Sequence, residues 1–182
     1  MIQHFISIND FPIPVLGFAA FSGTGKTTLL KKLIPEMKSK GLRIGLIKQS
    51  HHDFEIDQPG KDSYELRKAG ATQTLLTSPY RWALIHEHDD ITEIPLVELL
   101  SKLDTKNLDI VFVEGFKQTR FPKIELNRKG INKPLLYPDD DSIIALVTDS
   151  QHNNHPIPVL DINHINGILD FICHYISGNK SL

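Results

Sequence analysis

A lysine and two threonines follow a short glycine loop near the start of the chain, and residues of these types at this spacing can bind phosphate. The stretch runs from Val15 to Leu30 and reads VLGFAAFSGTGKTTLL. Gly23 and Gly25 permit a turn tight enough for successive backbone N–H groups to point at one anion. Lys26 can reach the β- and γ-phosphates of a nucleotide, and the Thr27 hydroxyl can bind Mg²⁺. The loop therefore predicts a nucleotide site.

Strand, glycine loop and helix occur here in the order that a P-loop requires. Val15 to Ala20 is an apolar run typical of a buried strand, and helical periodicity begins after Lys26. Ala20 occupies the position of the first glycine in G-x-x-x-x-G-K-[ST], and alanine is the smallest substitute for it. The residues predicted to bind nucleotide at this loop are Ser22, Gly23, Thr24, Gly25, Lys26, Thr27 and Thr28.

A P-loop also needs an acid at the end of a neighbouring strand to hold Mg²⁺. Glu114 follows the apolar run IVFV, so we predict that it binds Mg²⁺ with Thr27 and acts in catalysis with Lys26 and Thr27. We expect Gly115 to let the backbone approach the γ-phosphate. Asp53 follows the second predicted strand and is a further candidate metal ligand, although a solvated loop acid explains it equally well.

The polar segment QSHHDFEIDQPGKDS, residues 49–63, follows that second strand and is too irregular to be a strand itself. Long irregular loops in compact domains are often functional. Lys61, within it, and Arg67, just beyond it, can hold an anionic ligand, or they are plain surface cations. Adjacent His51 and His52 on an extended segment point in opposite directions, so contact with phosphate or an acidic partner is favoured over metal binding.

Asp149 follows Thr148 at the end of a late apolar strand, a place from which nucleotide-binding folds often read the base. Its carboxylate can accept two hydrogen bonds from guanine N1 and N2, whereas adenine N1 would present another acceptor. Asp149 therefore favours guanine over adenine and is predicted to bind the cofactor.

The predicted elements place these residues at one edge of a sheet. Arg43 to Lys48 is a second strand after the first helix, and such a strand–helix–strand unit implies parallel strands. Ligands of parallel sheets collect beyond the carboxyl ends of the strands. Runs over residues 71–77 and 82–85 predict an antiparallel hairpin. We therefore expect an α/β P-loop NTPase fold, a mainly parallel sheet flanked by helices, with a hairpin extension.

We expect a single nucleotide-binding domain over residues 13–178, preceded by residues 1–12 as a short strand through Phe5, Ile6 and Ile8 or a loose tail. Within the first helix, Pro35 should kink the helix or loosen its second half.

Composition narrows the class of protein. A formal net charge of −2 gives no support for binding nucleic acid or a membrane surface. Cys173 is the only cysteine, which excludes a disulfide within the chain and disfavours a zinc cluster. No run of about 18 apolar residues exists, and the N-terminus is a poor signal peptide. These features predict a soluble cytoplasmic protein.

Four stretches in this order resemble the molybdopterin-guanine dinucleotide biosynthesis adaptor (MobB) family over roughly residues 13–176. They read AFSGTGKTTLLKKLIP, GLIKQSHHDFEIDQPGKDSYELRKAGA, RWALI and LDIVFVEGFK. The resemblance implies a homodimeric protein that binds GTP and Mg²⁺ with weak GTPase activity. It also implies assistance to the molybdenum cofactor guanylyltransferase, which attaches GMP to molybdopterin, and a ligand that is molybdopterin or its guanine dinucleotide. Residues 86–94 and 127–142 carry no pattern that assigns a partner contact.

The residues themselves favour a nucleotide switch or carrier with slow hydrolysis. Lys26, Thr27 with Mg²⁺ and the loop amides supply charge neutralisation, but the sequence shows no convincing water-positioning glutamine and no clear arginine finger. Two alternatives stay open. A small-molecule kinase would need a basic lid, for which Arg120 to Lys123 is the candidate. An adaptor could instead hold nucleotide or pterin without useful turnover.

Overall fold

The computed structural model describes residues 7–50, 53–90, 93–150 and 155–179. The helices and strands are, in chain order, β1 (Val15–Ala20), α1 (Lys26–Ser39), β2 (Ile44–Lys48), α2 (Asp62–Lys68), β3 (Gln73–Thr77), β4 (Trp82–His86), α3 (Leu96–Leu100), β5 (Ile110–Glu114), β6 (Lys123–Asn127), β7 (Ile143–Thr148), β8 (Val159–Asp161) and α4 (Ile165–Gly178).

The chain forms two compact units. The first comprises Met1–Gln49 and Pro95–Leu182, and the second comprises Ser50–Ile94. The second unit contains α2 and the antiparallel hairpin of β3 and β4. A single domain over residues 13–178 remains a prediction, because compactness alone does not show that either unit folds by itself.

The first unit is built on a six-stranded parallel sheet with the strand order β2-β5-β1-β6-β7-β8. This architecture, with the separate hairpin, confirms the predicted α/β fold class. Strands β1 and β2 are parallel as expected, but β5 lies between them. The run IVFV of β5 is fully buried, as a strand covered on both faces requires.

Helices cover both faces of this sheet. One face packs against α1 and α4 through a core that contains Leu16, Phe112 and Leu33. The other face packs against α3 through Val111 and Leu100. The carboxyl ends of β1, β5, β6 and β7 therefore share one edge, which is where the predicted nucleotide residues of this unit lie.

On the second face of the sheet, two charged side chains of β6, Lys123 and Glu125, lie against the segment that precedes β7. Lys123, with a side chain only 3% exposed, donates to Asp140 Oδ2 at 3.1 Å and to Ser142 Oγ at 2.8 Å. Glu125 is fully buried and accepts from the backbone N–H groups of Leu136 (2.8 Å) and Tyr137 (2.9 Å). Burial raises the pKa of Glu125, although both backbone hydrogen bonds oppose the shift. The hydrogen bonds of these two buried side chains thus fasten this segment to the sheet.

Two local expectations need correction. Ile8–Asp10 is a 3₁₀ turn capped by Ser7, so the alternative of a strand through Ile8 is wrong, while Phe5 and Ile6 lie outside the described residues. Helix α1 continues through Pro35 to Ser39, so the alternative of a loosened second half is wrong, whereas a kink at Pro35 stays a prediction. Leu33 and Met37, both fully buried on either side of the proline, anchor its second half against the sheet.

Among the helices of the described residues, none is long and apolar enough to cross a membrane.

Candidate nucleotide site

The glycine loop between β1 and α1 has the backbone that anion binding requires. Gly23 and Gly25 have φ of 84° and 87°, a left-handed conformation that L side chains rarely adopt. Thr24 is buried, and its Oγ1 donates to the carbonyl oxygen of Phe21 at 3.0 Å, which closes the turn. Gly25 is the N-cap of α1, so the first N–H groups of the helix are directed at this loop. The local geometry suits a phosphate group.

The structure brings Lys26 and Glu114 together across β1 and β5. Glu114 lies opposite Phe18 in the parallel ladder, at the carboxyl end of β5. Lys26 Nζ is 3.2 Å from Glu114 Oε1, and both side chains are less than one-fifth exposed. The Thr27 and Thr28 residues of the first helical turn are exposed. A cation, an acid and hydroxyls therefore meet at the predicted phosphate loop.

Gln49, which lies beside Glu114 and Gly115, is a residue that sequence reasoning missed. Its N–H donates to the carbonyl oxygen of Glu114 at 2.8 Å, and its Oε1 accepts from the N–H of Phe116 at 2.7 Å. A Cβ on Gly115 would lie 2.5 Å from Gln49 Cβ, and the φ of Gly115 is 106°. Gly115 is thus needed for the close approach of Gln49, and the expected approach of its backbone to the γ-phosphate stays a prediction.

Asp149 lies beyond the carboxyl end of β7, beside a cleft of about 250 Å³. Its Oδ1 accepts from the N–H of Lys129 at 2.9 Å, and its Oδ2 is 3.9 Å from Arg128 Nη1. Thr148, Leu160, Asp161 and Asn163 are among the other residues that line the cleft. Each carboxylate oxygen has two lone pairs, so these contacts leave acceptor capacity at Asp149.

Residues 128–133, which sequence reasoning left unassigned, also lie against the glycine loop. A Cβ on Gly23 would lie 3.9 Å from Ile131 Cδ1, and a Cβ on Gly25 would lie 3.8 Å from Arg128 Nε. The only signal in the sequence was a pair of basic residues directly after β6, at the edge where ligands collect.

The remaining candidates belong to the second unit, which is described by itself. Asp53 and Lys61 are exposed. His51 and His52, together with His152 of the first unit, lie outside the described residues. Metal binding by Asp53 and nucleotide contact by Lys61 and Arg67 therefore stay predictions.

Arg67 is buried in an acidic cluster of this second unit. Its Nη2 is 2.8 Å from Asp57 Oδ1, its Nη1 is 2.6 Å from Glu87 Oε1, and it also pairs with Glu55. Hydrogen bonds to Asp57 and Glu87 raise the pKa of Arg67. An anionic ligand would have to compete with three carboxylates for this guanidinium.

Within the described part of the chain, no three or more His, Cys, Asp or Glu side chains cluster closely enough to hold a metal ion. The Thr27 hydroxyl in the first turn of α1 and the Glu114 carboxylate, which pairs with the adjacent Lys26, are oxygen ligands of the kind that Mg²⁺ prefers. Mg²⁺ usually completes its shell with waters and substrate phosphates. The site residues therefore fit Mg²⁺ bound together with a nucleotide.

Comparison with known proteins identifies the family of the chain. Residues 15–149 match the family model described as molybdopterin guanine dinucleotide synthesis protein B, MobB. The chain is 50% identical over 165 residues to the molybdopterin-guanine dinucleotide biosynthesis adapter protein of Escherichia coli (strain K12), covering 90% of this chain and 94% of that protein. The protein of the same name from Haemophilus influenzae is 41% identical, covering 97% and 96%.

Solved structures share the fold. A crystal structure of molybdopterin-guanine biosynthesis protein B superposes with a TM-score of 0.69 at 21% identity, covering 88% of this chain and 99% of that one. A MobB homologue from Bacillus stearothermophilus gives a TM-score of 0.66 at 20% identity, covering 90% and 98%. With the resemblance predicted from the sequence confirmed, the chain belongs to the MobB family.

Proposed function

We propose that this protein is a GTP-binding adapter that assists the attachment of GMP to molybdopterin, with slow Mg²⁺-dependent GTP hydrolysis. The observation that carries the proposal is the placement of Lys26 Nζ 3.2 Å from Glu114 Oε1, directly beside a loop with two left-handed glycines. The role in molybdopterin-guanine dinucleotide biosynthesis rests on the names of the Escherichia coli and Haemophilus influenzae relatives.

The roles of the residues follow from their chemistry. The amides of residues 22–28 and Lys26 bind the phosphates, while Thr27 and Glu114 hold Mg²⁺. Mg²⁺ supplies charge neutralisation on the phosphate oxygens. Asp149 reads guanine N1 and N2 from the cleft beside β7. Slow hydrolysis is consistent with the position of Gln49. Its Oε1 accepts a hydrogen bond from the Phe116 N–H, so this side chain holds the backbone after β5 in place.

Calorimetry on Lys26→Ala tests the nucleotide proposal. Lys26 contributes a charge-assisted hydrogen bond to phosphate, so the variant should lose tight GTP binding while its far-ultraviolet circular dichroism stays unchanged. Lys32→Ala, which removes an exposed lysine from the same helix, is the matched control and should bind GTP normally. Unchanged GTP affinity in Lys26→Ala would contradict the assignment of the loop.

The kinase alternative gains no support from the structure. Its candidate lid was the basic segment from Arg120 to Lys123. Lys123 is buried and bonded to Asp140 and Ser142, and Arg120 pairs with Asp141. Phosphate release with GTP alone, with the guanylyltransferase, and with candidate acceptors separates the functions. A phosphorylated acceptor would require the kinase, and complete absence of phosphate release would leave the adapter without turnover.

We also propose a homodimer and a molybdopterin or guanine-dinucleotide ligand. The hairpin of the second unit exposes Leu75 and Leu84, which are cross-strand neighbours, and Trp82 on the same face, each more than half exposed. A contiguous apolar patch of this kind marks an interaction site. Sedimentation velocity should show a dimer that Leu84→Asp dissociates, and a monomeric wild-type protein at micromolar concentration would contradict it.

Mass spectrometry of small molecules retained in a pull-down should recover a pterin–guanine species.

A further inference from the structure

The segment from Arg128 to Lys133 lies along the glycine loop and contacts alternate residues of it. The Arg128 side chain faces Gly25, because a Cβ there would be 3.8 Å from both Nε and Nη2. Ile131 faces Gly23 in the same way. Lys133 Nζ is 5.8 Å from the centroid of the Phe21 ring. Two cations thus stand beside the loop in addition to Lys26.

Backbone bonding fixes this segment in place. The N–H of Lys129 donates to Asp149 Oδ1 at 2.9 Å, which joins the end of β6 to the end of β7. Residues 129–131 form a 3₁₀ turn, after which Asn132 adopts a left-handed conformation with φ of 47°. Arg128 therefore projects over the loop from an anchored backbone.

The guanidinium of Arg128 is incompletely paired. Its Nη1 is 3.9 Å from Asp149 Oδ2, too long for a hydrogen bond. Its Nε is buried and has no hydrogen-bond partner among the described residues. A buried donor without a partner carries a desolvation cost, which a ligand that accepts from it would remove. The planar fork of an arginine matches the oxygens of a phosphate.

We propose that Arg128 is a nucleotide-binding residue that donates to the phosphate chain held by the loop. This inference rests on the proposed function, because it requires a nucleotide at the loop. Arg128 lies between Gly25, beside the phosphates, and Asp149, beside the base cleft, so its donors face the phosphates nearer to the ribose. Asp149 positions the guanidinium through the 3.9 Å charge contact and through Lys129.

Calorimetry with GTP, GDP and GMP tests the assignment. Arg128→Ala should weaken GTP and GDP binding by about 10- to 100-fold, the range that corresponds to charge-assisted hydrogen bonds. Arg43→Ala is the matched control, because Arg43 is also half-exposed and also pairs with an acid, Asp109, but at the opposite edge of the sheet. The GTP affinity of Arg43→Ala should equal that of the wild type.

A chemical measurement on the wild-type protein removes any dependence on how Arg128→Ala folds. The side chains of Arg128 and Arg43 are 41% and 50% exposed, so phenylglyoxal should modify both. Saturating GTP should slow the modification of Arg128 at least fivefold and leave that of Arg43 unchanged, as read by peptide mass spectrometry.

The outcomes separate this inference from the proposed function. The role of Arg128 would be overturned if GTP left the modification of Arg128 unchanged, or if folded Arg128→Ala bound GTP within about twofold of the wild type. In either case a loss of binding in Lys26→Ala would still support GTP binding at the loop. Failure of the wild-type protein to bind GTP would overturn both. Equal losses of affinity in Arg128→Ala and Arg43→Ala would assign the effect to general charge and also overturn the inference.

Discussion

Arg67 and Arg128 are the same type of side chain in opposite surroundings. In the second unit, Arg67 is almost completely buried and three carboxylates surround its guanidinium. In the first unit, Arg128 has a single acid at 3.9 Å, and its Nε, like that of Arg67, is buried without a hydrogen-bond partner in the described part of the chain. The first arrangement stabilises its own unit, whereas the second leaves donors directed at a phosphate loop.

The difference shows that the acids around a cation decide what the cation can bind. A guanidinium has five N–H donors in a fixed fork, and internal carboxylates remove them from ligand binding one by one. The sequence predicted that Arg67, near the carboxyl edge of the sheet, was either a ligand-binding cation or a plain surface cation. The structure supplies Arg128 as a better-placed candidate.

The largest effect should come from removing the buried cation. Arg67→Met leaves the carboxylate of Asp57, whose side chain is 4% exposed, without its partner, so the melting temperature should fall by at least several degrees. Arg128→Met should change it by less than about 2 °C, since one weak pair is lost. Thermal melts followed by circular dichroism, and by fluorescence of Trp82, the only tryptophan, measure both. A larger fall in melting temperature for Arg128→Met than for Arg67→Met would contradict this prediction.

The loop beside Arg128 should be sensitive to backbone strain. Gly25→Ala places an L side chain at φ of 87°, at a cost of roughly 1–2 kcal/mol, and should weaken GTP binding at least ~10-fold because strain there distorts the anion-binding amides. Gly41→Ala is the control, since its φ is 80° and nothing lies within 4 Å of its added Cβ. It should lose similar stability and keep its GTP affinity. Equal affinities in the two variants would show that the loop conformation does not matter for binding.

Asp149, which anchors the Arg128 segment, should also determine base preference. Asp149→Asn presents an amide N–H₂ to guanine N1–H or N2–H₂, so the preference for GTP over ATP should fall about tenfold. Competition binding with both nucleotides measures this preference. Asp139→Asn, an exposed change of equal charge, should have no effect. A preserved preference would restrict Asp149 to holding Lys129 and Arg128.

Glu125 is a buried carboxyl group that is satisfied by backbone N–H groups instead of by a partner ion. Glu125→Gln places an amide N–H₂ against one of two backbone donors and should cost about 1–3 kcal/mol. The raised pKa of Glu125 means that the folded state binds its proton more tightly than the unfolded state. The stability that this tighter proton binding contributes is complete below about pH 4.5, and it is lost as pH rises through the folded pKa of Glu125.

The stability difference between wild type and Glu125→Gln should therefore narrow as pH rises above about 4.5 and through the folded pKa of Glu125, because glutamine does not titrate. Urea unfolding at several pH values measures the difference. A difference that widens with pH would mean that the ionised carboxylate stabilises this segment.

Much of the fold follows from local patterns. The apolar runs of β1, β5 and β7 predict buried parallel strands, and helical spacing after Lys26 predicts α1. The order of the strands does not follow, because β5 enters between β1 and β2 after about sixty intervening residues. Strand order depends on which surfaces pack best, and neighbouring residues do not encode it.

The sequence alone predicted a phosphate-binding loop with Glu114 as its strand acid, and it determined the motifs of the family. These features are local, since a P-loop needs only a strand, two glycines and a helix in succession. Tertiary structure alone decided that Gln49 occupies the space beside Gly115, that three acids enclose Arg67 and that Arg128 faces Gly25. These contacts join residues separated by between 10 and about 100 positions along the chain, so only packing brings them together.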